Sequence, residues 1–203
     1  MHGVLNGEIF WYAIGCFYAW SDGSVQDVGY FARLGALPGP LFRGAPSAAT
    51  AFFTFSADPF TPIALPPNDA ADTFAASIDL PGRFHLYFHA EGGADFAQPQ
   101  SFARGIEIAT FERDGEVVGA STVTSAANLF TARLVGATAF EFGGQRVEVE
   151  TLFGRGVTQM GFAGAPFTPS AKGATSARSF VGSAVRIGSA IGAARPHRDQ
   201  PLG

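Results

Sequence analysis

The sequence predicts an all-β protein, either an antiparallel β-barrel or a two-sheet β-sandwich, with about nine or ten strands. Three observations carry that reading. Short apolar or alternating segments are separated by Gly, Pro and Asp-Gly punctuation at fairly regular spacing. The dipeptides Pro81-Gly82, Asp114-Gly115 and Gly143-Gly144 each sit between two such segments, where a tight turn would make a hairpin. Helical periodicity is scarce.

In chain order, Ile9–Trp20 is a twelve-residue run without charge and dense in aromatics, read as a strand buried on both faces and ended by Ser21-Asp22-Gly23-Ser24. Val25–Leu34 continues as a second strand until Leu37-Pro38-Gly39-Pro40 breaks the chain. Residues 49–56 read as a Phe/Thr strand. Residues 58–72 hold four prolines and no period, hence a long surface loop. Phe74, Ala76, Ile78 and Leu80 alternate with smaller or polar neighbours, and Pro81-Gly82 then suits a type II turn returning as a strand over 83–91. Residues 105–113 and 116–125 flank Asp114-Gly115; residues 129–142 and 145–153 flank Gly143-Gly144; residues 156–162 form one more strand.

From Lys172 the composition turns to Ala, Gly, Ser and Arg. Phe180, Ala184, Ile187 and Ile191 fall on a helical stripe, which Gly182, Gly188 and Gly192 weaken by about 1 kcal/mol each, so a marginal C-terminal helix or tail is expected. The division that follows is one antiparallel β domain over 1–165 and a Gly/Ala/Ser/Arg-rich extension over 166–203. Residues 171–203 carry five bases and one acid, a charge of +4, which leaves −8 on the remainder of a chain of net charge −4.

Composition closes off several functions. A hydrophobic fraction of 47% is too high for disorder, while 15% charge is low for a soluble domain, where about 25% is usual. No Lys/Arg cluster is dense enough for a row of phosphates, so nucleic acid is not an expected partner. Cys16, the single cysteine, reads as a small buried hydrophobe, without an internal disulfide. The apolar run 9–20 is too short for a spanning helix, and no basic region precedes it; no transmembrane segment is expected, and the location is cytoplasmic if the chain as numbered is complete. Nucleophile-elbow, P-loop, dinucleotide and zinc-protease motifs are absent.

The densest polar group is the alternation Arg83, His85, Tyr87, His89 and Glu91 against Phe84, Leu86, Phe88 and Ala90. His85 and His89 are about 13 Å apart on a strand and cannot share one ion; no metal and no cofactor are expected. His85, Tyr87 and His89, with Glu107 as an inward acid, are candidate catalytic groups if that row faces a cavity; facing outward, they are a solvated sheet face. The 21 phenylalanines suit either a β core or the lining of a barrel cavity, with Phe53, Phe55, Phe111, Phe140 and Phe142 as candidate ligand contacts. In general look the chain resembles lipocalin-like or cyclase-like barrels, although no motif is specific to either. The functional expectations are therefore the binding of an apolar small molecule in an aromatic-lined barrel, a cofactor-independent isomerase or cyclase using the same cavity, or a structural or assembly subunit, a homo-oligomer, whose interface is the run Trp11, Tyr12, Phe17, Tyr18 and Trp20.

Overall fold

A computed structural model describes residues 9–64, 73–78, 82–122 and 124–188. Pro81 and the side chains of the alternation over 74–80 lie outside that description, as do His2, Ile191, Arg195, His197, Arg198 and Asp199.

The chain folds as a closed antiparallel barrel. Twelve strands occur among the described residues: β1 Ile9–Trp20, β2 Val25–Leu34, β3 Phe53–Ala57, β4 Pro62–Ala64, β5 Thr73–Ile78, β6 Arg83–Phe88, β7 Ile106–Ser121, β8 Ala126–Ala137, β9 Phe140–Phe142, β10 Gln145–Val147, β11 Gly156–Ala163 and β12 Ala174–Ile187. A five-residue helix, α1 (Val149–Phe153), precedes β11. Eight strands close the wall in the order β7, β6, β3, β2, β1, β12, β11, β8, and β8 pairs back onto β7. Closure leaves the wall without a free edge, and eight strands are about the number at which an interior can hold one small ligand.

β1 and β2 have the bounds the aromatic runs predict, and Gly143-Gly144 makes the expected turn between β9 and β10, with φ of 58° and 73° at its two glycines. Three expectations are corrected. β5 and β6 both run antiparallel to β7 and lie end to end along it, so the two are not paired with each other as a hairpin. Asp114-Gly115 lies inside β7, where a register shift between Asp114 and Val118 absorbs the extra residues while β8 pairs on both sides of it. The stripe Phe180, Ala184, Ile187 lies on strand β12, sealed between β1 and β11, and not on a helix. In a strand, Phe180 and Ala184 share a face as they would in a helix, because i and i+4 coincide in both periods; Ile187 falls off that face and is exposed.

The interior is graded along the barrel axis. At one end the β9–β10 hairpin and α1 plug the opening with aromatic rings. Phe153 packs edge-on against Phe10, Trp11 and Phe111, at centroid distances of 5.0, 6.2 and 5.3 Å, and Phe142 packs on Phe53 at 4.9 Å. Small residues make room for rings higher up. Gly15 pairs with Gly29 across β1 and β2, and a Cβ at Gly29 would sit 2.6 Å from the Phe55 ring and against the Ile14 carbonyl. The outward side of β1, β2 and β3 is covered in turn by residues 90–105. There Tyr18 donates to the Phe96 carbonyl at 2.6 Å and Thr54 to that of Phe102 at 2.5 Å, over a second apolar cluster containing Cys16, Val28 and Tyr30. That cover explains why β1 is apolar on both faces. Cys16 is buried there, and burial pushes its thiol pKa up. No helix among the described residues is long and apolar enough to cross a membrane.

Candidate functional site

At the end opposite the aromatic plug the barrel opens into a cavity of about 350 Å³. Its position follows from the pleat. Phe17 and Ala19 on β1, Val25 and Asp27 on β2, Val117 and Gly119 on β7, Ala126, Asn128 and Phe130 on β8, Gln159, Gly161 and Ala163 on β11, and Ser176, Arg178 and Phe180 on β12 all line it at alternate positions, with Ala127 and Ala177 the exceptions that line it between two of them. Phe60, from the segment between β3 and β4, adds one more ring. The lining is predominantly apolar, with small residues on β8 and β11 giving width where the plugged end has rings.

The floor carries charge. Arg113, on β7, reaches into the barrel and places Nη2 3.4 Å from Oδ1 of Asp27; the side chains are 2% and 8% exposed. Aromatic faces surround the guanidinium, with its carbon 5.2 Å from the Phe60 centroid, 5.2 Å from Phe130 and 5.8 Å from Phe84. Burial pushes the Asp27 carboxyl above the ordinary aspartate range, against the pull of Arg113. Among the described residues, Nε and Nη1 of Arg113 have no hydrogen-bond partner, and neither does Oδ1 of Asn128. A buried guanidinium that spends one N–H group on a carboxylate and leaves two nitrogens unpaired beside a cavity is a preformed donor for a ligand oxygen. Cross-strand pairing sets Asp27 opposite Phe17 and Phe17 opposite Arg178, so Arg178 closes this row on the far side, where Nη1 donates to the Gly164 carbonyl at 3.1 Å. Below the pair a void of about 10 Å³ lies between Trp11, Phe31, Phe55, Phe84 and Phe130.

The residues singled out by sequence fall elsewhere. Phe53, Phe55, Phe111, Phe140 and Phe142 are all buried, but in the packed core and plug; the cavity is lined instead by Phe17, Phe60, Phe130 and Phe180. His85 and Tyr87 point outward from β6, while Phe84 and Leu86 point in. Glu107 joins them on the outer face because the register shifts between Leu86 and Tyr87, a bulge that leaves Ile108 and Ala109 buried in succession and turns Glu107 out. Together they form an exposed polar cluster. Nδ1 of His85 is 3.1 Å from Glu107 and Nε2 is 3.3 Å from Asp58, and Thr110 donates to Glu107. Burial would raise the Glu107 carboxyl, but the hydrogen bonds from Thr110 and His85 hold it below its ordinary value; burial, with Glu107 and Asp58 nearby, pushes the Tyr87 phenol up to about 12. His89 stands apart, buried under residues 90–105 with Nε2 3.3 Å from the Phe102 carbonyl, and burial lowers its pKa. Among the described residues, no three His, Cys, Asp or Glu side chains converge to hold a metal ion.

The cavity residues Asp27 and Arg113 escaped the sequence reading. Arg113 beside Glu112 looks like an exposed edge, and only Glu112 is on the outside, between Arg83 at 3.1 Å and Arg133. The usable signal was the alternation itself: Arg113 falls two residues after buried Phe111, and Asp27 two before Gly29 and four before buried Phe31. The aromatic run expected to form an interface is mostly enclosed, with Trp11 and Phe17 inward and Tyr18 under the 90–105 segment; Tyr12 is 43% exposed. No protein-family model matches the chain, and searches of the curated proteins and of the solved structures found no significant match to it.

Proposed function

We propose that this barrel binds an apolar small molecule in the cavity at its open end. One observation carries the reading: the interior is packed solid with rings at the plugged end and is left open, apolar and roughly ligand-sized at the other. A barrel serving only as a scaffold would gain from filling that space, because buried voids forgo dispersion contacts. The acid–base groups that an isomerase or cyclase would draw from β6 stand on the outer face, and the ionisable groups among the described lining are Asp27, Arg113 and Arg178. Binding is therefore favoured over catalysis by the row His85, Tyr87, Glu107.

The test is titration with a neutral apolar fluorophore such as N-phenyl-1-naphthylamine. A saturable, one-to-one rise in emission supports the reading if Ala163→Phe and Ala126→Trp, which fill the cavity from β11 and β8, each weaken it by about tenfold or more while the circular dichroism spectrum is unchanged. Equal binding by the filled variants places the fluorophore elsewhere and overturns the reading. Native mass spectrometry of protein purified without denaturation would reveal a retained ligand directly.

Assembly is a second reading, on a different surface from the one the sequence suggests. Outward-facing Val118, Leu129, Met160, Phe162 and Val181 are 45–56% exposed and adjoin one another through the pairings Val118 with Leu129, Leu129 with Met160, and Phe162 with Val181. If that face joins two copies of the chain, Phe162→Glu should convert a dimer to a monomer in sedimentation; a wild-type monomer at high concentration refutes it.

A further inference from the structure

Resting on the binding function proposed above, a narrower inference concerns what the ligand carries. The floor of the cavity is not neutral wall. Arg113 is almost wholly buried, makes a single 3.4 Å contact to Asp27 and leaves Nε and Nη1 without partners among the described residues. Unpaired donors this deeply buried are costly, and a charged one more so, unless an acceptor arrives. The described lining holds two cations, Arg113 and Arg178, and one anion, Asp27. A single negative charge on the ligand would balance that set, a neutral ligand would leave it positive, and a cation would add to the imbalance. Phe17, Phe60, Phe130 and Phe180 surround the rest of the space with rings, and the uncharged polar side chains in the described lining are Asn128, Gln159 and Ser176.

We propose that the ligand is an apolar monocarboxylic acid, its carboxylate accepting from the N–H groups of Arg113 that Asp27 leaves unpaired and its hydrocarbon part lying among these four rings. The acid goes in head first. Its carboxylate lies mid-barrel at the guanidinium, and its tail points to the open end between Phe17, Phe60 and Ala126. Arginine rather than lysine suits the role, because its planar fork can hold two carboxylates at once, here one from the protein and one from the ligand. The rings stacked about the guanidinium keep it in place without consuming its hydrogen-bond donors.

The test compares decanoic acid, decan-1-ol, methyl decanoate and decylamine by isothermal titration calorimetry on the wild-type protein. The acid should bind at least about tenfold more tightly than the alcohol or the ester, since a charge-assisted hydrogen bond replaces a neutral one, and the amine should bind most weakly. In the double variant Asp27→Leu/Arg113→Met, which removes the pair together and leaves no lone buried charge, the acid should lose that advantage, its affinity falling to that of the alcohol or below it. If no member of the series binds, the cavity reading itself fails. If the alcohol or ester matches the acid, or the acid keeps its advantage in the double variant, the cavity stands and the carboxylate inference fails. Should the double variant not fold, the ranking on the wild-type protein decides the matter, because an apolar cavity without a role for Arg113 favours the alcohol and ester over the charged acid.

Discussion

Replacing Asp27 with asparagine tests the energetics of the cavity floor. The substitution keeps the shape and removes the charge, so Arg113, whose side chain is 2% exposed, becomes a lone buried cation. Breaking a buried pair by removing one partner costs about 3–5 kcal/mol. Here part of that is retained, because the asparagine amide oxygen can still accept from Nη2 of Arg113 at the same place, a hydrogen bond worth about 0.5–1.5 kcal/mol. The expected loss is therefore about 2–4 kcal/mol. With a urea slope of about 2 kcal/mol per molar, the unfolding midpoint should fall by roughly 1–2 M at an unchanged slope. The double variant Asp27→Leu/Arg113→Met should recover to within about 1 kcal/mol of wild type, since a packed apolar pair of similar volume replaces an ion pair at little cost. Equilibrium urea denaturation followed by tryptophan fluorescence measures all three proteins. A midpoint for Asp27→Asn within about 0.3 M of wild type, or a double variant no more stable than the single, would show that the pair is solvated and that the floor is not the low-dielectric site described.

Three further outcomes follow from the packing. His89 is buried with its pKa lowered, so the unfolded chain binds its proton more readily than the folded one; the stability it allows is full above about pH 6.5 and is lost as pH falls through and below that value, and His89→Asn should flatten the melting temperature between pH 7 and 5 relative to wild type. Gly29→Ala forces a methyl against the Ile14 carbonyl and the Phe55 ring and should cost about 1–3 kcal/mol in urea; a cost below about 0.5 kcal/mol would mean that β1 and β2 are not in the register described. Phe153→Ala removes the ring that touches Phe10, Trp11 and Phe111 and should cost about 3–5 kcal/mol, with a change in the near-ultraviolet signal of the neighbouring tryptophan; a smaller effect argues that α1 does not plug the barrel.

Local chemistry was a good guide where a turn or a strand is decided by its own residues. Gly143-Gly144 turns because both positions need positive φ and the short strands beside it have no other partner. Asp114-Gly115 has the same local preference and is overridden, because β8 pairs with β7 on both sides of it and the dipeptide is taken up in a bulge, a pairing made with residues the dipeptide knows nothing about. β5 and β6 make the same point: whether two successive strands pair with each other or lie end to end along a third is settled by that third strand, here β7. The β6 alternation located a polar row correctly, but alternation has two faces and does not say which one the barrel encloses. Only closure decides that, and it sends His85 out and Phe84 in. Glu107 shows the finer limit, since one extra residue in β7, Ile108, opposite the step from Leu86 to Tyr87, is enough to turn it to the outer face. The cavity floor was hidden by a habit of reading charges as surface. A single acid or base in an otherwise apolar alternating row is the pattern that marks Asp27 and Arg113.

The seam between β1 and β12 joins the first stave of the wall to the last, with Ile9 beside Val185 and Trp20 beside Ala174. Synthesis on a ribosome delivers these two partners at opposite ends of the process. While β12 is still being made, the emerging chain can assemble β1 through β11 as a curved sheet with an exposed edge at each end, its aromatic interior open to water and to neighbouring nascent chains. No shorter intermediate can hide that surface, because the strand that seals it has not yet been translated, and contacts spanning so much sequence also form slowly. The aromatic interior is thus most exposed in the interval between the emergence of β11 and that of Ile187, and a pause in translation just upstream of β12 would lengthen that interval, whereas a pause before β11 would not.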